Sequence, residues 1–393
     1  MRYSDFKIVE NVEHLYEADA RIQHAEDLIF FQGSKGAIRT LEALKSMEQG
    51  GQENVTVKWD GSPAIIFGRN ENGEFILTDK SGFTAKGYDG RAKSAEALQQ
   101  MLMARPGARN PDPKKAEGYA RLAVNMKDIF DEYEKAVPKD FVGYLKGDLL
   151  YFNTPEVIDN KFVFTPNIVT YRVDVNSDLG KQIAQSKTGI VVHRLMDENG
   201  QEGPVPNNMQ FIGTEVLLFP SVTVQQPAEI EDEDINSLKA SVSKFGASID
   251  KMLDKPTLMQ LKMKDLPDIF YTYMNSKVDT GLTSLGQDFL EWMKTSKISG
   301  VKQTRIIDHI SQNQQAFNAM WDIVTGILIV KDKIIKQFDS HDSTVKADIG
   351  PHGPVTPDAH GDGGEGYVLA HPEGDIKLVP RAYFTKANRS VQR

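Results

Sequence analysis

The sequence predicts an α+β protein with antiparallel sheets, flanking helices and an inserted all-helical module. Alternating and β-branched stretches typical of strands occur in residues 54–90 and 140–225. From about residue 235 to 340 the apolar spacing is helical, and strand character returns after residue 361. Because sheet-forming segments lie on both sides of the helical stretch, we predict that the helices interrupt a single α+β domain.

The first half of the chain predicts helices on both sides of a group of strands. Residues 10–50 have helical spacing, with a break expected at Gly33 and Gly36. The strands that follow include a hairpin whose turn is Asn72-Gly73. A second helical segment, residues 91–136, is interrupted by a turn rich in proline and glycine.

The second half predicts strands, then the helical module, then strands again. An acidic run at 228–236 either begins an exposed helix or links two domains. The stretch 305–338 predicts one long helix or two, with a break near Gly326. A loop rich in Gly, Pro, Asp and His precedes the final strands, whose turn lies at 372–374. One face of the long helix predicts a core, and its members are Phe317, Trp321, Val324 and Leu328.

The composition is that of a globular protein without thiol chemistry. The 393 residues allow two or three domains, and a hydrophobic fraction of 40% is enough for a sizeable core. The absence of cysteine excludes disulfides, thiolate zinc sites and a thiol nucleophile, and it suits a reducing compartment. The net charge of −9 argues against nucleic-acid binding through bulk charge, but it leaves room for a local basic groove.

The sequence also argues against a membrane location. Its longest apolar stretch, Ile323 to Val330, is too short to cross a bilayer. The first residues lack the basic region and apolar region of a signal peptide. We therefore expect no membrane association and a cytoplasmic location.

The sharpest chemical signal is Lys58-Trp59-Asp60-Gly61 at the end of a predicted strand. A lysine held there can attack a phosphorus atom once its amine is neutral, which requires a pKa below the usual value of about 10.4. Taken alone, the pattern is better interpreted as a solvated turn with an exposed lysine, because Asp-Gly favours turns. The catalytic interpretation therefore depends on residues elsewhere in the chain.

Three such residues lie on other predicted strands. Asp148 follows a glycine inside a strand, Glu365 begins a strand, and Lys377 lies in the next one. Nucleotidyl transfer needs this combination, since one lysine attacks while carboxylates hold metal or ribose. The second lysine stabilises the charge that develops on the α-phosphate.

These residues resemble the covalent nucleotidyltransferase superfamily of ATP-dependent DNA ligases, RNA ligases and mRNA capping enzymes. Lys58-Trp59-Asp60-Gly61 is similar to the motif with the nucleophilic lysine, and Lys377 to a lysine of the fifth motif. Glu365-Gly366-Tyr367-Val368 resembles the fourth motif of phage RNA ligases. Asp148 stands where the family usually has a glutamate. The chain also resembles uncharacterised proteins of large tailed phages.

The resemblance implies an ATP-dependent polynucleotide ligase, closest in style to RNA ligases. ATP and Mg²⁺ would be its cofactors, and RNA or DNA ends would be its partners. Lys58 and Lys377 would be catalytic residues. The nucleotide would be bound by Asp60, Gly61, Lys80, Asp148 and Glu365, and the metal by Asp148 and Glu365.

The resemblance also implies a domain order. Residues 1–225 would form the first part of a ligase-type nucleotidyltransferase domain, 226–350 a helical insert, and 351–393 the final strands. Because 16 residues follow Lys377, we expect no C-terminal OB-fold. The insert could hold the polynucleotide instead through Lys331, Lys333 and Lys336, although a solvated helix face would have the same sequence.

The chain departs from the family pattern at two places. Ser62 stands where DNA ligases and capping enzymes carry an arginine, which is nearer to RNA ligases. Asp375 and Val379 flank Lys377, so one of the two usual fifth-motif lysines is missing or displaced. The alternatives to an RNA ligase are a DNA nick-sealing ligase, a nucleotidyltransferase with a protein or small-molecule acceptor, and a non-catalytic phage interaction protein.

Several weaker candidates each have a plain structural alternative. Lys80 and Lys86 are consistent with contacts to phosphates and equally with solvated lysines. Arg69 is a weaker candidate for phosphate contact. A metal site or a polar loop is consistent with His352, Asp358 and His360. An adenine pocket or core packing is consistent with Phe164, Tyr171 and His193.

Overall fold

The structure is a computed structural model of the whole chain. The residues that it describes are 23–48, 54–59, 61–167, 169–203, 205, 209–219, 224, 226–279, 281–282, 285–340, 345–349, 366–371 and 373–382. Of the predicted site residues, Asp60 and Glu365 lie outside this set, as do the loop residues His352, Asp358 and His360.

Helices and strands are both extensive in the described part of the chain. The helices are α1 (Leu28–Ser46), α2 (Lys80–Phe83), α3 (Ala95–Met103), α4 (Pro113–Ala136), α5 (Asp178–Gln185), α6 (Asp232–Met252), α7 (Lys255–Gln260), α8 (Leu266–Ser276), α9 (Phe289–Thr295), α10 (Gly300–Gln312) and α11 (Gln314–Ser340). The strands are β1 (Gln23–His24), β2 (Val55–Val57), β3 (Ala64–Arg69), β4 (Phe75–Asp79), β5 (Gly143–Tyr151), β6 (Glu156–Ile158), β7 (Lys161–Phe164), β8 (Val169–Asp174), β9 (Thr188–Met196), β10 (Glu202–Gly203), β11 (Val216–Leu218), β12 (Val345–Ile349), β13 (Tyr367–Leu369) and β14 (Ile376–Leu378).

Contacts within the chain divide it into two compact units. Among the described residues, unit 1 contains those from Trp59 to Phe219 and the beginning of β12. Unit 2 contains those from Gln23 to Lys58, from Val224 to Ser340, and from Gly366 onward. The predicted α+β class with mostly antiparallel sheets is confirmed, whereas the three predicted domain boundaries stay a prediction.

Unit 1 is built on an antiparallel sheet with the order β10-β9-β5-β3-β4, to which β11 adds by pairing in parallel with β9. Apolar side chains of β3, β4 and β5 pack against α3 and α4 on one face. The β3–β4 hairpin turns at the predicted Asn72-Gly73, where Gly73 has a φ of +78° that favours glycine. The opposite face carries Tyr144, Lys146 and Asp148, which alternate along β5.

A second sheet of unit 1 has the order β12-β8-β7-β6. Phe164 and Tyr171, which could have lined an adenine pocket, are buried there and pack 5.5 Å apart. Core packing is therefore the role that the structure gives to both rings.

Unit 2 combines a helical core with a four-stranded sheet of order β1-β14-β13-β2. Phe30 of α1, Phe270 of α8 and Trp321 of α11 pack with ring centroids 5.2 to 5.8 Å apart. The predicted core face of the long helix is confirmed, because all four members are buried: Phe317, Trp321, Val324 and Leu328.

The predicted break in the first helix is real and lies at Gly33. This residue has φ 62° and ψ −144° inside α1. A Cβ atom there would lie 2.2 Å from Asp250 Oδ1, and the same carboxylate accepts hydrogen bonds from Ser34 N and Oγ at 2.6 Å. Glycine is thus required both for the backbone angles and for the approach of α6.

The predicted break near Gly326 is wrong. The long helical stretch divides at Asn313, between α10 and α11, and Gly326 lies inside α11. A Cβ at Gly326 would lie 2.4 Å from Leu238 Cδ2 of α6. Glycine is needed there for close packing of two helices, which sequence alone does not distinguish from a helix break.

The acidic run begins α6, whose first turn contains Asp232, Glu233 and Asp234. Acidic side chains stabilise a helix N-terminus through the helix dipole. The helical character predicted for 226–350 ends at Ser340, and β12 follows within that range. No helix in the described residues is long and apolar enough to pass through a bilayer.

Candidate functional site

The segment that follows Lys58 is anchored in unit 1. Trp59 is 4% exposed and packs against Tyr171 and Phe219, with ring centroids 4.9 and 5.0 Å away. Ser62 N donates a hydrogen bond of 2.8 Å to Leu149 O. The chain is therefore held by an aromatic cluster on one side of the Asp-Gly pair and by β5 on the other.

Gly61 is required by its contact with Asp148. A Cβ atom at position 61 would lie 2.6 Å from Asp148 Cβ and 2.7 Å from Leu149 O. No side chain fits in this space without moving the backbone of β5. The glycine of the predicted motif and the predicted acid on β5 are thus direct neighbours in unit 1.

Asp148 lies in the middle of β5 and contacts a histidine of the next strand. Its Oδ2 atom is 3.0 Å from His193 Nε2, and the two side chains are 29% and 36% exposed. A register shift in the β5–β9 pairing passes over His193, which is the extra residue of a bulge. The bulge places the imidazole beside Asp148, so one carboxylate oxygen is engaged by an interaction that the sequence did not predict.

Lys58 immediately follows β2 in unit 2. Its backbone N donates a hydrogen bond of 3.0 Å to Gly366 O, which extends the β2–β13 pairing by one residue. The side chain of Lys58 is half-buried. The predicted position of this lysine at a strand end is confirmed. Its strand, β2, pairs with β13, which follows Glu365 in the sequence.

Lys377 lies on the same face of this sheet. It is paired with Val368 of β13, and Val368 is paired in turn with Thr56 of β2. Because side chains alternate along a strand, Lys58, two residues after Thr56, shares the face of Lys377. Strand spacing and rise separate the two lysine Cα atoms by roughly 12 Å. The other face is apolar and joins the core of unit 2 through Val55, Tyr367, Leu369, Ile376 and Leu378.

His24 is the neighbour of Lys377 on β1, and it also shares this face. Its Nδ1 atom is buried without a hydrogen-bond partner in the described part of the chain. Burial and the positive charge of Arg381 hold the pKa of His24 well below its ordinary value. The imidazole is therefore neutral at pH 7.

A buried charge cluster lies at the end of the β1–β14 pair. Glu26 and Asp27 follow β1, Arg381 follows β14, and Lys331 belongs to α11, and all four are at most 2% exposed. Lys331 Nζ is 2.9 Å from both carboxylate oxygens of Glu26. Arg381 Nη1 donates to Glu26 Oε1 at 2.9 Å and to Asp27 Oδ1 at 2.6 Å.

The two carboxyls of this cluster differ in their pKa. Burial alone would raise the pKa of Glu26, but the charges of Lys331 and Arg381 lower it to about 2. Burial raises the pKa of Asp27 to about 6, against the opposing charge of Arg381. Glu26 thus stays ionised in the interior because two cations face it, whereas Asp27 contacts one.

The prediction that Lys331 contributes to a basic surface patch is wrong, because this side chain is 0% exposed and paired with Glu26. Lys333 is exposed but paired with Asp234, and Lys336 is exposed. Lys331 lies three residues after Leu328 and four before Ile335, on the buried face of α11, so helical spacing is consistent with a core position. The expectation of a surface position followed from the residue type, because lysines are rarely buried unless they are paired.

The remaining weaker candidates have different surroundings. Lys80 begins α2 and is exposed, as is Lys86. Arg69 is buried, and its guanidinium donates to the carbonyl oxygens of Gly73, Glu134, Val137 and Pro138. Arg69 therefore ties the β3–β4 hairpin to the end of α4. Four of its five N–H groups are used in these hydrogen bonds and are not available to a phosphate.

The described residues contain no group of three His, Asp or Glu side chains that could hold a metal ion. Asp148 contributes one carboxylate, and the other predicted metal ligand, Glu365, lies outside those residues. The magnesium site therefore stays a prediction.

Neither the Asp148–His193 contact nor the buried charge cluster was found from the sequence. Glu26 lies 305 residues from Lys331 and 355 from Arg381. A buried lysine and an exposed one have the same side chain, so only the fold identifies the partners. For His193, the sequence indicated only a position in a strand-forming segment, and the pairing of that strand with β5 is known from the structure.

Comparison with known proteins gives one match. No curated protein and no solved structure matches the chain. Residues 19–89 and 115–393 match the model of DUF6267, a family of unknown function. The matched residues include Lys58, Lys377, Asp148 and His193. The chain belongs to the family DUF6267.

Proposed function

We propose that the protein is an ATP-dependent nucleotidyltransferase that forms a Lys58–AMP intermediate and joins polynucleotide ends in the manner of RNA ligases. The observation that carries the proposal is the common face of Lys58 and Lys377 in the sheet of unit 2. Two half-buried lysines on one sheet face support this proposal, because they would provide positive charge for a phosphate and an amine to attack it.

In the first step the neutral amine of Lys58 attacks the α-phosphorus of ATP. A nitrogen–phosphorus bond forms, the bond from phosphorus to the bridging oxygen breaks, and pyrophosphate leaves with its electron pair. The amine must first lose a proton, since only its neutral form has the electron pair for attack. The backbone bond from Lys58 N to Gly366 O fixes the strand end from which the side chain extends.

Lys377 would stabilise the negative charge on the α-phosphate during attack. Its position on β14 is fixed by pairing on both sides, with Val368 of β13 and with His24 of β1. Because His24 is neutral at pH 7, it adds no further charge beside Lys377. Lys377 would therefore be the main cation of this face next to Lys58.

Asp148 is the proposed ligand for ribose or metal, as the resemblance implies. His193 engages Oδ2, so Oδ1 is the atom available for a ligand. Magnesium, when bound, would offset the charge of the triphosphate. The absence of a side chain at Gly61 leaves the space that the Cβ of Asp148 borders.

In the later steps AMP would pass to a 5′-phosphate end, and a 3′-hydroxyl would displace AMP and seal the strand. The substitution of one fifth-motif lysine favours a second candidate, transfer of AMP to a protein or small molecule. Asp375 stands beside Lys377 instead of a second cation, so the charge near a polynucleotide phosphate is lower than in the family pattern.

The test is incubation with ATP and magnesium followed by intact-mass measurement. We expect the mass to increase by one AMP, and peptide mapping to place the adduct on Lys58. Lys58→Ala should abolish the adduct. Lys93→Ala, which removes an exposed lysine paired with Glu74, should leave it unchanged.

An unchanged mass for the wild-type protein would contradict the proposal. If the adduct forms, assays with nicked DNA duplexes, nicked RNA duplexes and single strands separate the ligase from the second candidate. If the protein forms the Lys58–AMP adduct but seals none of these ends, the second candidate, transfer of AMP to another acceptor, is favoured.

A further inference from the structure

The beginning of α4 and the turn before it form a concentration of exposed positive charge in unit 1. We call this set the α4 basic patch, and its members are Arg109, Lys114, Lys115 and Arg121. All four side chains are exposed, and within the described residues none of them makes an ion pair or hydrogen bond. They are therefore cations whose charge is not already neutralised.

Packing brings Arg109 to the same end of α4 as the other three. The 3₁₀ turn Pro106–Arg109 lies against Tyr119, and a Cβ at Gly107 would be 2.4 Å from its ring. Arg105, at the start of the turn, donates to Asp79 Oδ1 at 2.8 Å and so ties the turn to β4. Contacts thus hold the turn at its start and in its middle, and Arg109 is its last residue.

Helix geometry places the remaining cations along α4. Lys114 and Arg121 are seven residues apart, so they lie on one side of the helix with a rise of roughly 10 Å between them. The nearest acid in sequence, Asp112, caps the helix by accepting from Lys114 N at 3.0 Å. Glu117 is the acid that remains between Lys114 and Arg121.

Some of the exposed lysines elsewhere in the described residues are paired with acids. Lys93 pairs with Glu74, Lys181 with Asp178, Lys294 with Glu291 and Lys333 with Asp234. A cation that is already paired gains little from a phosphate, because it exchanges one anion for another. Unpaired cations bind phosphates with release of counterions, and this release drives binding to nucleic acids.

We infer that the α4 basic patch binds the phosphate backbone of a polynucleotide. It would provide the local basic surface that an acidic chain needs for such a partner, in place of the patch expected on α11. Its exposed cations can contact phosphates, which position a polynucleotide on a protein without reading its bases. The inference rests on the proposed function for the identity of the polynucleotide as a ligation substrate.

The experiment compares two variants with the same change of net charge. The patch variant is R109Q/K114Q/K115Q/R121Q, and the control variant is K93Q/K181Q/K294Q/K333Q. Binding to a labelled nicked duplex is measured by fluorescence anisotropy over a series of KCl concentrations. We expect the slope of log affinity against log salt to fall by about 0.9 for each lost contact in the patch variant, and to change little in the control.

Equal losses in the two variants would show an effect of bulk charge and would overturn the inference. No loss in the patch variant would also overturn it. Circular dichroism verifies that both variants are folded. Vesicles containing an anionic lipid form a third arm, and a patch variant that loses vesicle binding but keeps duplex binding would assign the surface to a membrane instead.

Adduct formation separates this inference from the proposed function. The patch variant should form the Lys58 adduct at the wild-type rate, since none of its substitutions is in the nucleotide site. If the wild type forms no adduct while the patch variant loses duplex binding, the ligase proposal fails and the patch is retained. If the wild type forms the adduct and the patch variant binds the duplex as tightly as the wild type does, the ligase proposal is retained and the inference about the patch fails.

Discussion

The two sheets that carry the candidate residues are assembled in different ways. In unit 1, β3 and β4 form a local hairpin and β5 joins it, and the face with Asp148 is half-exposed. In unit 2, the sheet unites a strand at 23–24, a strand at 55–57 and a hairpin after residue 366, and four charges are buried at its end. The first sheet is specified by neighbouring sequence, whereas the second depends on partners hundreds of residues away.

This difference locates the vulnerable interactions. A close steric contact, Gly61 against Asp148, limits what unit 1 tolerates near the site. An ionic network, centred on Glu26, limits unit 2. Leaving a buried charge without its partner costs more free energy of folding than inserting one methyl group into a packed site. We therefore expect substitutions in the Glu26 network to destabilise the protein more than a substitution at Gly61.

The largest expected effect is that of Lys331→Met. Removing this cation leaves Glu26 buried with one fewer partner, and we expect the free energy of unfolding to fall by about 3–5 kcal/mol. Urea denaturation followed by circular dichroism measures the change. Hydrogen exchange should show the loss of protection in unit 2.

The matched control is Lys333→Met, two residues along the same helix. Lys333 and Asp234 are 51% and 33% exposed, so this pair should contribute less than about 1 kcal/mol. Equal effects of the two substitutions would mean that burial of the cluster does not decide the stability of unit 2.

A smaller effect is expected for Gly61→Ala in unit 1. The new methyl group would lie 2.6 Å from Asp148 Cβ, which forces a shift of the strand and should cost about 1–3 kcal/mol. Thermal unfolding provides the measurement. Gly118→Ala is the control, because nothing lies within 4 Å of a Cβ there and a helical alanine should stabilise by about 0.5–1 kcal/mol.

The smallest effect is a pH dependence due to His24. Because its folded-state pKa is lowered, the unfolded chain binds a proton that the folded state excludes below about pH 6.5. This contribution to stability is present above pH 6.5 and is lost as pH falls, with a slope of at most about 1.4 kcal/mol per pH unit.

The measurement is the free energy of unfolding between pH 8 and pH 5 for the wild type and for His24→Asn. The wild type should lose more stability than the variant over this range. His371→Asn is the comparison, since His371 has a pKa that burial and Arg39 lower in a more exposed setting. Parallel curves for wild type and His24→Asn would show that His24 takes no part.

Local sequence predicted the strands that carry the candidate residues. The end of β2 at Lys58, the turn at Asn72-Gly73 and the hairpin containing Lys377 follow from alternation and turn residues, which act over a few positions. The break at Gly33 followed from the conformational freedom of glycine. Each depends on interactions within one short segment.

Two sequence-based expectations failed for a common reason. Gly326 was expected to break a helix, but it makes room for Leu238. Lys331 was expected on a surface, but it neutralises Glu26 in the core. In both cases the deciding partner is distant in sequence, and the residue type is compatible with either outcome.

The amino-acid sequence by itself determined the α+β class, the strand positions and the candidate lysines, because periodicity and turn chemistry are local properties. Only the tertiary structure decided which charges are buried, that His193 contacts Asp148, and that Lys58 and Lys377 share a sheet face. Those features depend on strand register and helix packing between distant segments, where the free energy comes from contacts that no local pattern encodes.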